Sequence, residues 1–203
     1  FDALPIKQFI KKKKQWYERN IKKNSNNNLE FIDIISNIQN LEKRIGINLS
    51  NNQEILEFSP LAYKYLKIIS EKIHNFQGGL LIIDYGYLEK KMKDSLQSIK
   101  KHKFNYILNN FGKSDITYSV NFHLVKKITK KLNLKIAGLT NQGDFLTKLG
   151  ILYRAEILSK KLNFLKKANI YYRVKRLIDK KSMGGLFKVM LVTKKNIKFK
   201  LGF

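Results

Sequence analysis

The chain has 203 residues, 43% of them hydrophobic and 12% aromatic, which suits one folded core and excludes a disordered polymer. Its formal net charge of +26 points either to a phosphate-bearing partner or to a surface biased toward lysine; the scatter of the lysines in short runs, as at Lys11–Lys14 and Lys160–Lys161, favours the biased surface over a nucleic-acid site. Cysteine is absent, which excludes disulfides and thiolate metal sites, and His74, His102 and His123 show no metal-ligand spacing, so no metal is expected.

Phe1 to Pro5 reads as a turn with no element before it, as though the chain were cut from a longer one. From Ile6 to Ile35 the pattern is largely β: Gln8–Ile10, Trp16–Ile21 and Leu29–Ile35 form a hairpin or short meander, with Ser25–Asn28 as a polar turn. Glu42–Leu49 reads as loop with a short helix. Ser59 then suits an N-cap and Pro60 the first helical position; Leu61, Tyr65, Ile68, Ile69 and Ile73 recur at helical spacing until Gly78-Gly79 stop the run. The following strand, Leu80–Ile83, is apolar on both faces, the mark of a central strand covered from both sides in an α/β sheet.

Tyr87 to Ser119 reads as loop. Asn121 can cap a helix with Phe122, Val125, Ile128 and Leu132 on one face, and strand Leu134–Thr140 follows. The chain is then helical from about Asp144 to Asp179, in two or three pieces, with Leu146, Leu149, Leu152, Ile157 and Leu158 as core candidates; Gly184-Gly185 leads into a last strand, Leu186–Thr193. No apolar run approaches the roughly 20 residues that span a bilayer, so a soluble protein without a membrane span is expected.

In open α/β sheets ligands bind beyond the carboxyl ends of strands, and Asp84-Tyr85-Gly86 sits at such an end. Two readings stand side by side: a site rim, or an Asp that caps the next turn, a Tyr that packs and a Gly that permits a positive φ. Gln142-Gly143-Asp144 follows a strand and opens a helix, where backbone amides can hold an anion or Asp144 can serve as an ordinary cap. Trp16, Tyr17 and Glu18 line either a pocket or the core, and Asp115 and Thr117 sit in a polar loop. No glycine-rich nucleotide loop, nucleophile elbow or H-E-x-x-H stretch occurs.

Taken together the segments resemble one family, the class I S-adenosylmethionine-dependent methyltransferases of the mitochondrial complex I assembly factor and bacterial MidA-like type. Its signature is similar to N-E-F-F-D-A-L-P-hydrophobic-R-Q-F, and this chain begins inside it with Phe1-Asp2-Ala3-Leu4-Pro5-Ile6-Lys7-Gln8-Phe9. The likeness continues through Trp16-Tyr17-Glu18-Arg19, Glu57-Phe58-Ser59-Pro60, Gly78-Gly79 to Asp84-Tyr85-Gly86, and Ser95-Leu96-Gln97 with His102. It runs on through Ser114–Thr117, Val120-Asn121-Phe122, Thr140–Leu146, Met183–Val189 and the terminal Gly202-Phe203. The family usually has Asp where Asn121 stands, and Thr directly before the Gln where Asn141 intervenes here.

The resemblance implies the C-terminal half of a Rossmann-like class I methyltransferase sheet, with residues 6–58 as a β-rich hairpin insertion and extra helices; the half that holds S-adenosyl-L-methionine would lie upstream, leaving this piece inactive alone. It implies that Leu80–Asp84 is the fifth strand of that sheet and that Asp84, Tyr85 and Gly86 lie beside the cofactor. By the same likeness, Asp2 and Glu18 orient an arginine acceptor as catalytic carboxylates, and Leu4, Pro5, Trp16, Gln142 and Gly143 contact the substrate. The implied partner is a protein, such as a subunit of respiratory complex I, in the bacterial cytoplasm or the mitochondrial matrix. The alternatives are a basic RNA-binding module and a non-catalytic remnant.

Overall fold

Three antiparallel strands open the chain: β1 (Lys7–Lys12), β2 (Gln15–Lys23) and β3 (Leu29–Ile35). The computed structural model describes residues 1–109, 112–199 and 201–203. As expected from the polar stretch between β2 and β3, the Asn24 Oδ1 accepts from the backbone N–H of Asn26 and Asn28, closing that turn. The helix α1 (Ile38–Ile45) starts earlier than the sequence suggests, because Asn37 caps it at 3.3 Å, and it ends where Gly46 takes φ 66°. The strand β4 (Ile55–Phe58), not foreseen, pairs antiparallel with β1 and gives the order β3-β2-β1-β4.

The helix α2 (Pro60–Phe76) begins as its cap residues require, with the Ser59 Oγ accepting from the Ala62 N–H at 3.1 Å. Ser59→Ala is expected to cost about 1 kcal/mol of stability, read as a lower urea midpoint. The buried stripe is only partly the expected one: Ile73 faces inward as expected, with Ala62, Leu66 and Ser70 beside it, whereas Tyr65 and Ile68 are exposed. The helix is apolar over more than one face, and spacing alone does not say which face a neighbour covers. Its end is set by Gln77 in the left-handed region, φ 54°, and Gly79 already belongs to the next strand.

The chain forms two units, one of Phe1–Ile68 with Leu88–Lys131, the other of Ile69–Tyr87 with Leu132–Phe203. In the first, the expected loop from Tyr87 to Ser119 contains a small sheet, β6 (Gln97–Lys100), β7 (Lys103–Asn105) and β8 (Asp115–Thr117), in the order β7-β6-β8. Asp115 and Thr117 are therefore strand residues, while Asn110 and Phe111 of that stretch lie outside the described residues. After the short β9 (Val120–Asn121) comes α3 (Phe122–Lys131), whose Leu124 N–H bonds the Asn121 Oδ1 at 2.8 Å. Phe122, Val125 and Ile128 are buried on it, as expected.

In the second unit β5 (Gly79–Tyr87) pairs antiparallel with β11 (Phe187–Thr193), which pairs antiparallel with β10 (Lys135–Asn141). Hence β5 and β10 point the same way with the reversed strand β11 between them, in a mixed α/β fold. Nor is β5 covered from both sides among the described residues: Ile82 is buried, yet Leu81 and Ile83 are 46% and 48% exposed.

Four helices complete the unit, α4 (Gln142–Lys148), α5 (Ile151–Ser159), α6 (Phe164–Ile178) and α7 (Met183–Leu186). Leu149, Leu152, Ile157 and Leu158 are exposed and Leu146 half-buried, contrary to the expectation of a core there. Small residues take the buried places, Ala155 and Ser159 on α5, with Val174 on α6. Close helix approach favours short side chains and leaves the long ones off the contact. The terminal Phe203 packs on Phe145 with ring centres 5.1 Å apart.

Candidate functional site

The carboxylate-bearing segment of the first unit starts with Asp2, whose side chain is 26% exposed and whose carbonyl accepts from the Tyr118 N–H at 3.0 Å. Leu4 is half-buried and Pro5 exposed in the same segment. Glu18, on β2, lines a cavity of about 350 Å³ with Lys7, Phe9 and Arg44. Its carboxylate is 2.6 Å from the Lys7 Nζ. With Lys7 already paired to that carboxylate and Arg44 also in the lining, the cavity is a poor holder for a further guanidinium. Trp16 is buried, 6% exposed, and packs inside the unit.

Asp84, Tyr85 and Gly86 lie within β5, which continues to Tyr87, so Asp84 does not cap a turn. Asp84 is 7% exposed, its Oδ1 accepts from the Tyr85 N–H at 2.9 Å, and in register it stands opposite Lys188 of β11. An opposite-charge pair across a sheet suits both partners. Tyr85 meets Phe187 edge to face at 5.8 Å, and Gly86, in strand conformation, has no positive φ.

Gln142 and Gly143 open α4, where the helix is preceded by Asn141 without a side-chain cap; Asp144 lies in the first turn and is not the cap. The Gln142 Nε2 donates to the Leu177 carbonyl at 3.1 Å, and Gly143 passes so near the Ile178 carbonyl that a Cβ there would overlap it. Both residues serve the packing of α4 against the end of α6.

Sequence reasoning missed a polar cluster in the first unit. Glu57, 5% exposed on β4, accepts from the Gln8 Nε2 at 2.8 Å, the Ser95 N–H at 2.9 Å, the Leu96 N–H at 3.1 Å and the Ser95 hydroxyl. The Gln8 amide also reaches Asp94, and the Arg19 Nη1 donates to both Gln8 and Asp94 at 3.2 Å. A glutamate inside the apolar run Ile55-Leu56-Glu57-Phe58 was the available signal, since a buried carboxylate requires partners.

A second missed feature is a basic basin of about 650 Å³ that includes Lys90, Lys91, His123 and Lys127 in its lining. Burial first, then the charges of Lys127, Lys90, Lys126 and Lys130, hold the His123 imidazole below its usual pKa. Among the described residues no helix is long and apolar enough to cross a membrane.

Residues 1–140 match a family model described as "Putative S-adenosyl-L-methionine-dependent methyltransferase". The chain is 28% identical over 172 residues to the mitochondrial protein arginine methyltransferase NDUFAF7 of Xenopus tropicalis, covering 79% of this chain and 37% of that protein. It is 31% identical over 157 residues to the Caenorhabditis elegans NDUFAF7 homolog, covering 75% and 36%. A solved Burkholderia thailandensis protein bound to S-adenosyl-homocysteine has the same fold, with TM-score 0.80 at 22% identity over 99% of this chain and 53% of that one. The chain thus spans little more than a third of these two curated relatives.

Proposed function

The chain belongs to the S-adenosyl-L-methionine-dependent methyltransferase family, and from that premise we propose that the protein carrying it moves a methyl group from S-adenosyl-L-methionine to an arginine of a protein substrate. The observation that carries this reading is the family match from Phe1 to Thr140, which takes in both the Asp2–Pro5 segment and the whole of β5. Relatives named as protein arginine methyltransferases support arginine as acceptor. A subunit of respiratory complex I is the substrate we favour, with the mitochondrial matrix as location in a eukaryote and the cytoplasm in a bacterium. The chain would contribute the C-terminal part of one methyltransferase domain, with residues 6–58 inserted in it.

The residues on β5 fit part of such a cofactor. The buried carboxylate of Asp84 and the ring of Tyr85 project to opposite faces of β5, and each has the chemistry to stand near a sulfonium or a nucleoside on its own face. When bound, the cofactor supplies an activated methyl group. The work left to the chain is positioning, with little acid or base chemistry beyond taking a proton from the guanidinium. Asp2 can orient a guanidinium by charge-assisted hydrogen bonds. Glu18, held by Lys7 with Arg44 at the same cavity, is the weaker candidate. Leu4, Pro5, Trp16, Gln142 and Gly143 then act by shaping their surroundings.

The test is made on the protein that carries this chain, with labelled cofactor and an arginine-bearing acceptor. Methylated arginine is expected by mass spectrometry, falling at least tenfold in Asp2→Ala. Label found only on another residue type overturns the arginine assignment. Unchanged methylation in Asp2→Ala removes Asp2 from the site, and absence of saturable binding of S-adenosyl-homocysteine overturns the enzyme reading as a whole.

A further inference from the structure

The basic basin of the first unit has no part in the methyl-transfer reading, and it is built rather than merely charged. Gln53, buried, donates its Nε2 to the Lys90 carbonyl at 3.0 Å and accepts from the Met92 N–H at 2.8 Å. That amide clamps the backbone carrying Lys90 and Lys91 onto the 48–53 turn. The turn is itself fixed: the Asn51 N–H bonds the Asn48 Oδ1 at 3.0 Å, and Asn52 holds a left-handed φ of 57°. From α3, Lys127 reaches the Asn48 carbonyl at 3.5 Å and His123 joins the lining.

The charge is one-sided. Among the described residues Lys90, Lys91, His123 and Lys127 line the basin, the rest of the lining is Asn and Gln, and no carboxylate is among them. The nearby acids are spoken for at the surface: Glu54 stands 3.8 Å from Lys91, and Glu89 stands 3.1 Å from Lys93. An exposed pair of that kind contributes little and exchanges readily for a better anion. Burial lowers the basicity of His123 most, and the charges of Lys127, Lys90, Lys126 and Lys130 add to it.

We propose that this basin docks an acidic peptide segment of a protein partner. Ammonium groups are point charges that pair with carboxylate and phosphate alike, so the lysines call for an anion and the neighbouring amides choose among anions. The side-chain amides of Asn48, Asn51 and Asn52 both donate and accept, which matches peptide groups; phosphate offers acceptors only. Among the described residues no aromatic ring lines the basin, so single-stranded nucleic acid would find no stacking platform there. The volume accommodates a few residues of extended chain. The site is independent of the methyl-transfer reading, because binding alone reveals it.

The experiment measures fluorescence anisotropy of a labelled decapeptide rich in Glu and Asp against the full chain, beside its Gln and Asn counterpart and an oligouridylate of equal charge. The acidic peptide is expected to bind and its neutral counterpart not. The double variant Lys90→Gln, Lys127→Gln is expected to weaken binding about tenfold, and a control pair on α6, Lys166→Gln with Lys167→Gln, less than about twofold. On the unaltered chain the ring signals of His123 should shift during the titration, a readout that does not depend on any variant folding. Equal weakening by the control pair, tighter binding of the oligouridylate through the same lysines, or immobile His123 signals would each overturn the proposal.

Discussion

Glu57→Ala is expected to lower the stability of the chain by about 3–5 kcal/mol, a large share of what a domain possesses. The carboxylate is nearly inaccessible and accepts two backbone N–H groups, those of Ser95 and Leu96, besides the Gln8 amide and the Ser95 hydroxyl. Removing it strands buried donors, each at a cost of about 1–3 kcal/mol, and frees the 94–96 segment from β4. Glu57→Gln keeps the volume but turns donors toward donors in at least one direction, so its loss should fall between that of alanine and none. Glu18→Ala is the contrast. Its ion pair with Lys7 has side chains 24% and 45% exposed, and such a pair is worth about 1 kcal/mol at most. Urea unfolding with an unchanged slope would compare the three. A loss under about 1 kcal/mol in Glu57→Ala would mean that water replaces the network, contrary to its burial.

Gly143→Ala is the second large effect, and here two opposing magnitudes decide the sign. Within a helix alanine is favoured over glycine by about 1 kcal/mol. At this position, however, the added methyl would meet the Ile178 carbonyl carbon at 3.1 Å and overlap its oxygen, with the Gly184 Cα at 3.4 Å behind it. These neighbours are backbone, which cannot rotate aside as a side chain can. Separating α4 from α6 would also stretch the Gln142 bond to the Leu177 carbonyl. Overpacking of this kind costs about 1–3 kcal/mol and sometimes more, so the net change is destabilising. Gly78→Ala supplies the control, because nothing lies within 4 Å of a Cβ there and its φ is not positive. That substitution should be neutral or stabilise by up to about 1 kcal/mol. Calorimetric melting of both variants compares a crowded glycine with an open one; a higher Tm for Gly143→Ala would contradict the packing described for α4.

What could be read before the fold was known was local in origin. A hydroxyl followed by proline at Ser59-Pro60 and an amide at Asn121 mark helix starts because their hydrogen bonds close within three residues. The strands β1 to β3 were legible because their turns join neighbours in the chain. The position of Asp84 and Tyr85 on an apolar strand was legible for the same reason, although their partners Lys188 and Phe187 were not.

The remainder depends on pairing between distant residues. β4 is four residues long, and it is a strand because β1, some 45 positions earlier, offers it an edge at Ile10 and Phe9. The buried face of α2, the exposure of Leu152 and Leu158, and the partners of Glu57 follow from which surfaces meet, and a hydrophobic period marks candidate faces without choosing among them. So the capped helix starts, the family likeness and the excess of positive charge were written in the linear chain. Which carboxylate is clamped, which glycine lies against a carbonyl and where lysines ring a cavity were settled by folding, since contact energies act across space rather than along the sequence.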